Sequence, residues 1–439
     1  MPMKYICHRP GPKSEKIIIR DSKVISPSLH RDHSFVFQKA KGCYLWDADG
    51  KKYLDFAAGI AVASIGHTNP EVVQAIKKQL NFGLHAGFPD FYAELPVKFV
   101  EFLLTFAPKY LNKAFLSNSG TESIEAAYKL AKWHTNRKWV IAFEGCFHGR
   151  TMGSLSMTKS KPVQRERFGP FLPVRHAPYP YYYRRPERLE NLDEKEYADY
   201  CLNEVEKIIK SLKGDVAGVF VEPIQGEGGY IVPPENFHKG LRKICTEHDV
   251  LLCDDEVQAG YWRTGTFLAI EGFGAKPDIV SLSKAAGAGM PIGTTLANEK
   301  TMDWPTGAHS NTFGGNLVAC AAGIASLNYM RKHRLGENAK KIGAHMLKIL
   351  EEIKDKYEIL GDVRGRGLMI GIEIVKDKKS KKLAVPERDA VICEASKRGL
   401  VLLSVGDSAI RICPPLILTK EQAEKGLWIL EEAIKTVNK

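Results

Sequence analysis

No run in this 439-residue sequence is long and apolar enough to cross a bilayer; the longest small-residue and apolar stretch, Phe56 to Gly66, is rich in Gly and Ala. No Cys-x-x-Cys pair occurs among the nine cysteines, which are scattered from Cys7 to Cys413. That spacing excludes zinc-finger frameworks. An odd, dispersed set with several members in apolar runs predicts reduced, buried thiols in a cytoplasmic protein. No block of one charge sign stands out. Lys and Arg number 63 against 51 Asp and Glu, a net +12 spread along the chain. Such a balance predicts a solvated basic surface that would suit a bound phosphate and carboxylate substrates, with neither nucleic acid nor membrane as partner. No apolar leader core follows the first Met, so no secretory signal is expected. No internal repeat, long linker, RNA-binding signature or metal-ligand spacing appears.

What is present is globular: 44% hydrophobic and 26% charged residues, enough chain for two or three packed units. The most informative stretch runs from Val250 to Gly293. Two short apolar runs lie within it, each ending in a chemically capable residue. Val250 to Cys253 leads into Asp254, Asp255, Glu256 and Gln258; Asp278 to Leu282 leads into Ser283 and Lys284. Short apolar runs bounded by polar turns read as buried parallel strands, and in open α/β sheets ligands sit at the carboxyl ends of such strands. A carboxylate and a lysine offered to one crevice fit pyridoxal phosphate (PLP). The lysine carries it as a Schiff base, and the carboxylate keeps the pyridine nitrogen protonated. By themselves the two residues fit equally well a turn-capping Asp and a Lys snorkelling to solvent.

The rest of the chain adds candidates in order. Residues 1–41 read as a polar, irregular arm. Runs around Asp49-Gly50 predict a hairpin of residues 42–47 and 52–56. Helices are expected from Asn69-Pro70 to Leu80 and from Tyr92 to Phe106. Ser119, Gly120 and Thr121 form a turn opening a helix, which offers free N–H groups to a phosphate or is an ordinary N-cap. A strand over 139–143 is followed by Phe147, His148 and Arg150; Phe147 suits stacking on a planar ring and Arg150 a carboxylate, or they are a core Phe and a surface Arg. The Tyr-rich residues 179–198 read as a surface excursion. A strand over 216–221 ends in Glu222 and a Gly-rich loop carrying Glu227. Beyond Lys284 come a strand near 292–298, helices over 317–332 and 335–357, strands over 360–366 and 368–375, and a helical C-terminus. Three segments are expected: 1–66 as arm and part of a small domain, 67–334 as the cofactor domain, and 335–439 as the rest of the small domain.

Taken together, the ordered motifs GIAVASIGH, SNSGTES, FHGRT, VEPIQGEGGY, DDEVQAG, SLSKA, TFGGN, DVRGRGL and IRICPP resemble the class III (ω-) aminotransferases, most closely the 4-aminobutyrate branch. The resemblance runs from about Gly42 to Glu432. It implies an α/β chain of the PLP-dependent fold type I, with a large domain around a mostly parallel seven-stranded sheet and a small α+β domain from both chain ends. It implies a homodimer with shared active sites, possibly paired into a tetramer. Matched residue by residue, Lys284 carries the cofactor and shuttles the proton, Asp255 pairs with the pyridinium nitrogen, and Gln258 meets the ring oxygen. Phe147 stacks on the ring, with His148 and Glu222 beside it. Ser119, Gly120 and Thr121 hold the phosphate, joined by Thr312 from the partner subunit. Ile60 and Arg150 adjoin the distal carboxylate of the substrate. Arg364 takes the α-carboxylate, and Glu227 neutralises Arg364 when that carboxylate is absent. The sequence departs from the family's usual pattern at Leu317, where Pro is common, and in the sparser glycine run after Lys284.

The reaction so implied is ping-pong transfer of an amino group from an ω-amino acid such as 4-aminobutyrate to a 2-oxo acid, with 2-oxoglutarate as the expected acceptor. The same groups would serve an amino-acid racemase of this family, or an ornithine or acetylornithine aminotransferase.

Overall fold

The computed structural model describes Cys7 and residues 10–438. The chain divides into two compact units. One joins the residues up to Asn69 with those from Glu337 onward; the other is Pro70–Gly336.

The continuous unit is built on a seven-stranded sheet. Its strands lie in the order Lys113–Ser117, Gly293–Ala297, Ile279–Leu282, Leu251–Asp255, Val216–Val221, Trp139–Phe143, Val174–Ala177. Only Gly293–Ala297 runs antiparallel to its neighbours; the other pairings are parallel. Val216–Val221 and Ile279–Leu282 are buried at every position. This is why they read as near-continuous apolar runs without alternation: helices cover both faces of a parallel sheet. The Gly120–Thr135 helix is tied to the sheet where the Ser281 and Thr295 hydroxyls donate to the Ser123 carbonyl at 3.2 and 2.8 Å. The parallel strands therefore deliver Phe143, Val221, Asp255 and Leu282 to one edge. The segments carrying Phe147, Glu222, Gln258 and Lys284 leave from there.

The discontinuous unit holds two four-stranded sheets. In one, Phe37–Lys41, Tyr44–Asp47 and Lys52–Asp55 form a meander, and Leu400–Val401 adds parallel to Lys52–Asp55. The other is antiparallel, in the order Leu360–Arg366, Met369–Ile374, Ala409–Ile412, Leu403–Val405. The helices Val385–Lys397 and Lys420–Val437 pack beside them. Among the described residues no helix is long and apolar enough to cross a membrane.

Three expectations need correction. The N-terminal arm is not irregular, because Pro12–Val24 is a helix. Gly11 at its N-cap has no side chain to give; Asp49 supplies the cap instead, accepting from Lys13 N and Ser14 N at 2.9 and 3.0 Å. A capping group 36 residues away leaves no local signal. The cysteines are not all reduced: Cys7 and Cys393 form a disulfide, with Cα atoms 4.9 Å apart at a sequence separation of 386, and the other seven are free and buried. The Tyr-rich segment is not wholly superficial either. Tyr179 is buried and donates to the Glu222 and Pro223 carbonyls, both at 3.2 Å, and Asp193 opens a helix at Glu194 with a reciprocal capping box.

Candidate active site

The strand edge encloses a cavity of about 240 Å³ lined by Gly120, Thr121, Phe147, His148, Gly149, Arg150, Glu222, Asp255, Val257, Gln258 and Lys284. Nine of the eleven were singled out in the sequence; Gly149 and Val257 were not. Val257 sits between Asp255 and Gln258, and its role is steric. A Cβ on Gly120 would come within 2.6 Å of Val257 Cγ1, so Gly120 is the residue that lets the helix start approach the Val257 side of the cavity. With Phe147 also on the lining, the cavity offers an aromatic and a branched aliphatic group to a flat ring.

Each polar group in the cavity is held from behind. Asp255 Oδ1 accepts from Val257 N at 3.0 Å, and Oδ2 lies 2.7 Å from His148 Nδ1. Both side chains are buried. Burial works against a charged His148 ring, but the Cys146 sulfur and the bond to Asp255 outweigh it and hold the His148 pKa well above the ordinary histidine value. A cationic His148 keeps a buried carboxylate anionic, which is the state needed to hold a proton on a pyridine nitrogen. Glu222 is fixed by Phe147 N at 2.8 Å and Gly226 N at 2.7 Å. Burial raises its pKa to about 7, against the opposing pull of His148.

The anion-binding end is the start of the Gly120–Thr135 helix, where first-turn N–H groups lack intrahelical acceptors. Ser119 is spent as the N-cap, its hydroxyl accepting from Glu122 N at 3.3 Å, and it does not line the cavity. Thr121 Oγ1 belongs to a hydroxyl network with Ser154 Oγ at 2.6 Å and Thr151 Oγ1 at 2.8 Å. Glu125 anchors that network through Thr151 Oγ1 and Ser154 N. Lys284 opens a short 3-10 turn with φ 43°, a left-handed conformation uncommon outside glycine. Strain of this kind gathers at sites where a side chain must be aimed.

A cofactor with a phosphate, a planar ring and a ring nitrogen fits this lining: helix N–H groups for the phosphate, Phe147 and Val257 for the ring, and an anionic Asp255 for the nitrogen.

Of the remaining candidates, Thr312, Glu227, Ile60 and Arg364 stand outside the cavity, whereas Arg150 is on its lining. Thr312 is exposed on the 311–316 loop. Glu227 pairs with Lys161 Nζ at 2.9 Å, a partner with no signature in the sequence. Arg150 is exposed, its guanidinium carbon 5.5 Å from the Phe147 ring centre. Ile60 and Arg364 belong to the discontinuous unit. Ile60 falls within a left-handed turn in which Ala58, Gly59, Ile60 and Ala61 all have φ between 46° and 62°; for a β-branched residue this is a true outlier. Arg364 Nη1 and Nη2 bond to Asp362 and Glu373, both at 2.8 Å, so its charge is already matched by two carboxylates. On the same sheet Arg411, 4% exposed, donates Nε and Nη2 to the Ser404 carbonyl at 3.1 and 2.9 Å. The sequence signal for Arg411 was the IRICPP motif.

Comparison with known proteins agrees with this lining. Residues 26–434 match the Aminotransferase class-III family. The chain is 41% identical to an acetylornithine aminotransferase of Methanopyrus kandleri, over 90% of this chain and 93% of that protein. It is 37% identical to an alanine/serine racemase of Pyrococcus horikoshii, over 98% and 92%. It is 35% identical to a probable 4-aminobutyrate aminotransferase of Bacillus subtilis, over 94% and 95%. Among solved structures, an amine transaminase from an uncultivated Pseudomonas species in its PLP-bound form superposes with a TM-score of 0.88 at 30% identity, covering 94% of this chain and 98% of that one.

Proposed function

Because the chain belongs to the class-III aminotransferases, a PLP-dependent enzyme family, we propose that it transfers an amino group from an ω-amino acid of the 4-aminobutyrate kind to a 2-oxo acid, 2-oxoglutarate in the first instance. The observation that carries this reading is the convergence of Lys284, the His148–Asp255 pair and the Gly120–Thr121 helix start on one cavity. PLP, when bound, supplies an aldehyde that joins amino groups and a ring that withdraws electrons.

The chain's own residues do the rest. The Lys284 amine would take the proton from the substrate carbon that bears the amino group and, for transamination, deliver it to the carbon on the far side of the nitrogen, which requires a neutral amine within reach of both. Asp255, kept anionic by His148, holds the proton on the ring nitrogen. Gly120 and Thr121 N–H groups grip the phosphate, Phe147 and Val257 exclude water from the ring faces, and Gln258 donates to the ring oxygen. Arg150 and Ile60 receive the distal carboxylate.

For the α-carboxylate, Arg364 is the weaker receptor. Binding substrate there means breaking two bonds to carboxylates, one of them, Glu373, buried. Arg411, buried and oriented by the Ser404 carbonyl, is the second candidate, with Glu227 as the carboxylate that neutralises the receptor arginine when a substrate lacks that group. R411K lowering kcat/KM for 2-oxoglutarate far more than for the donor, with R364K changing little, is the expected pattern.

We read the enzyme as a homodimer. Phe82, Leu84, Phe91, Tyr92 and Phe313 are exposed apolar groups, with Phe313 against His85. Apolar exposure on this scale supports a partner surface. Thr312, beside Phe313, is then the residue offered to the partner's phosphate site.

Purified protein with 4-aminobutyrate, 2-oxoglutarate and PLP should form glutamate. Activity on acetylornithine or ornithine without activity on 4-aminobutyrate moves the assignment to those donors. The second reading is an amino-acid racemase, favoured by the 37% identity over 98% of this chain to an enzyme of that name. Loss of optical rotation from one enantiomer with no acceptor present would establish it.

A further inference from the structure

The loop after the Val216–Val221 strand ends in a tyrosine with unusual constraints. Tyr230 is fully buried and has φ 55°, in the left-handed region. The loop is closed by reciprocal backbone bonds between Gln225 and Ile231, both 3.1 Å, and by Gly229 N and Tyr230 N donating to the Gly226 carbonyl at 3.1 and 3.2 Å. Its backbone therefore holds the tyrosine ring in one place. From there Tyr230 OH reaches Gln258 Oε1 at 2.7 Å. An amide oxygen only accepts, so the hydroxyl is the donor and the orientation of the Gln258 amide is set: Oε1 faces Tyr230. The amide nitrogen lies on the other branch of a side chain that lines the cavity. Gly226 makes room for it, since a Cβ there would sit 2.2 Å from Gln258 Nε2.

The two ends of a primary amide have nearly the same shape and opposite polarity. Packing alone does not choose between them; the bond that the Tyr230 hydroxyl donates to Oε1, with Nε2 seated beside Gly226, adds to the hold on one of the two. We propose that Tyr230 is a positioning residue that locks the Gln258 amide with its N–H toward the cofactor's ring oxygen. This rests on the reading of Gln258 as the ring-oxygen partner. A donor held there favours the ionised oxygen and lowers the pH at which the bound cofactor changes protonation. Without the hydroxyl the amide is held less firmly in that orientation, and its N–H is a weaker donor to the anionic oxygen.

The experiment is a pH titration of the visible absorbance band of the holoenzyme, with cofactor stoichiometry and melting temperature measured alongside. Y230F removes one oxygen and keeps the ring; its titration midpoint should move up by about one pH unit, a tenfold change in proton affinity. Q258L should move it the same way, and Y230F should add nothing in the Q258L background. If Y230F fails to fold, G226A disturbs the same amide with the tyrosine intact and should also raise the midpoint. An unshifted midpoint in Y230F (or, where that variant does not fold, in G226A) with a shifted one in Q258L overturns the proposal and leaves the role of Gln258 standing. An unshifted midpoint in Q258L removes that role and the proposal with it. A Y230F shift that persists in full without Gln258 overturns the proposal as well, because the hydroxyl would then act by another route.

Discussion

Glu256→Gln should stabilise this enzyme at alkaline pH and leave its stability unchanged in mild acid. Glu256 is completely buried directly after Asp255, with Oε1 accepting from Ile270 N at 2.9 Å. Its other oxygen and both oxygens of buried Asp254 have no donor among the described residues. Two carboxylates so placed bond to one another only if one carries a proton. Burial accordingly raises the Glu256 pKa to about 7, and that of Asp254 rises as well, for burial and for its neighbour's charge. The pair titrates jointly. Between the ordinary glutamate value of 4.5 and about 7 the folded state keeps a proton that the unfolded chain has released. Stability therefore falls as pH rises through that window. At about 1.4 kcal/mol per tenfold change in proton affinity, the ceiling is about 3 kcal/mol. Glutamine keeps the acceptor for Ile270 N, offers its N–H to Asp254 and does not titrate. Urea unfolding of both proteins at saturating PLP, from pH 5 to pH 8.5, checks this. The curves should coincide near pH 5 and differ by about 1–3 kcal/mol at pH 8 in favour of the variant. Parallel pH profiles, or a variant less stable at pH 8, would refute the shared-proton account.

Three further outcomes follow from single contacts. Cys7→Ser should lower thermal stability in non-reducing buffer and abolish any effect of added reductant. Chain entropy over a 386-residue separation sets a ceiling on the order of 6 kcal/mol, and about 2–4 is expected, because the Asp49 cap and the Asp32–Ser404 bond still hold the arm; equal melting of the two proteins removes the cross-link from the account. His148→Ala strands Asp255 without its cation, and breaking a buried pair costs about 3–5 kcal/mol; PLP affinity by absorbance titration should drop at least about a hundredfold, and an unchanged value would show that the pair does not serve the cofactor. Gly120→Ala drives a Cβ to 2.6 Å from Val257 Cγ1; cofactor occupancy should fall while the fold persists, and V257A should restore it, with failure of rescue counting against the proposed shape of the cup.

Legibility in the sequence tracked the range of the interactions. The parallel strands were readable because burial on both faces forces near-continuous apolar runs, as in Val216–Val221 and Ile279–Leu282. The residues at their carboxyl ends were readable because a strand end and the turn after it are local. The helix Pro12–Val24 was missed because its cap comes from Asp49, and the Cys7–Cys393 bond because its halves lie at a sequence separation of 386. Val257 was missed for another reason. Its contribution is a surface presented to Gly120, and an aliphatic residue between two polar ones gives no chemical signal. Lys161 and Tyr230 act through Glu227 and Gln258, and neither partner is adjacent in the chain.

The same distinction separates cofactor chemistry from substrate choice. The polar groups proposed to meet the cofactor have fixed partners: Asp255 has His148 and Val257 N, Glu222 has Phe147 N and Gly226 N, and Gln258 has Tyr230. Each of those groups has one orientation that satisfies its bonds, so the chemistry tolerates little variation. Substrate choice depends on charges that must exchange partners during each cycle. Glu227 already holds a cation in Lys161, and an arginine that is to receive a carboxylate has to be oriented before the substrate arrives without being neutralised beforehand. Arg364, with two carboxylates on its guanidinium, meets the first condition and fails the second. A motif does not show which partners an arginine already holds. Two relatives, 41% and 35% identical to this chain, carry donor names as different as acetylornithine and 4-aminobutyrate, and the partners of a few charged side chains are where a difference of that kind would be set.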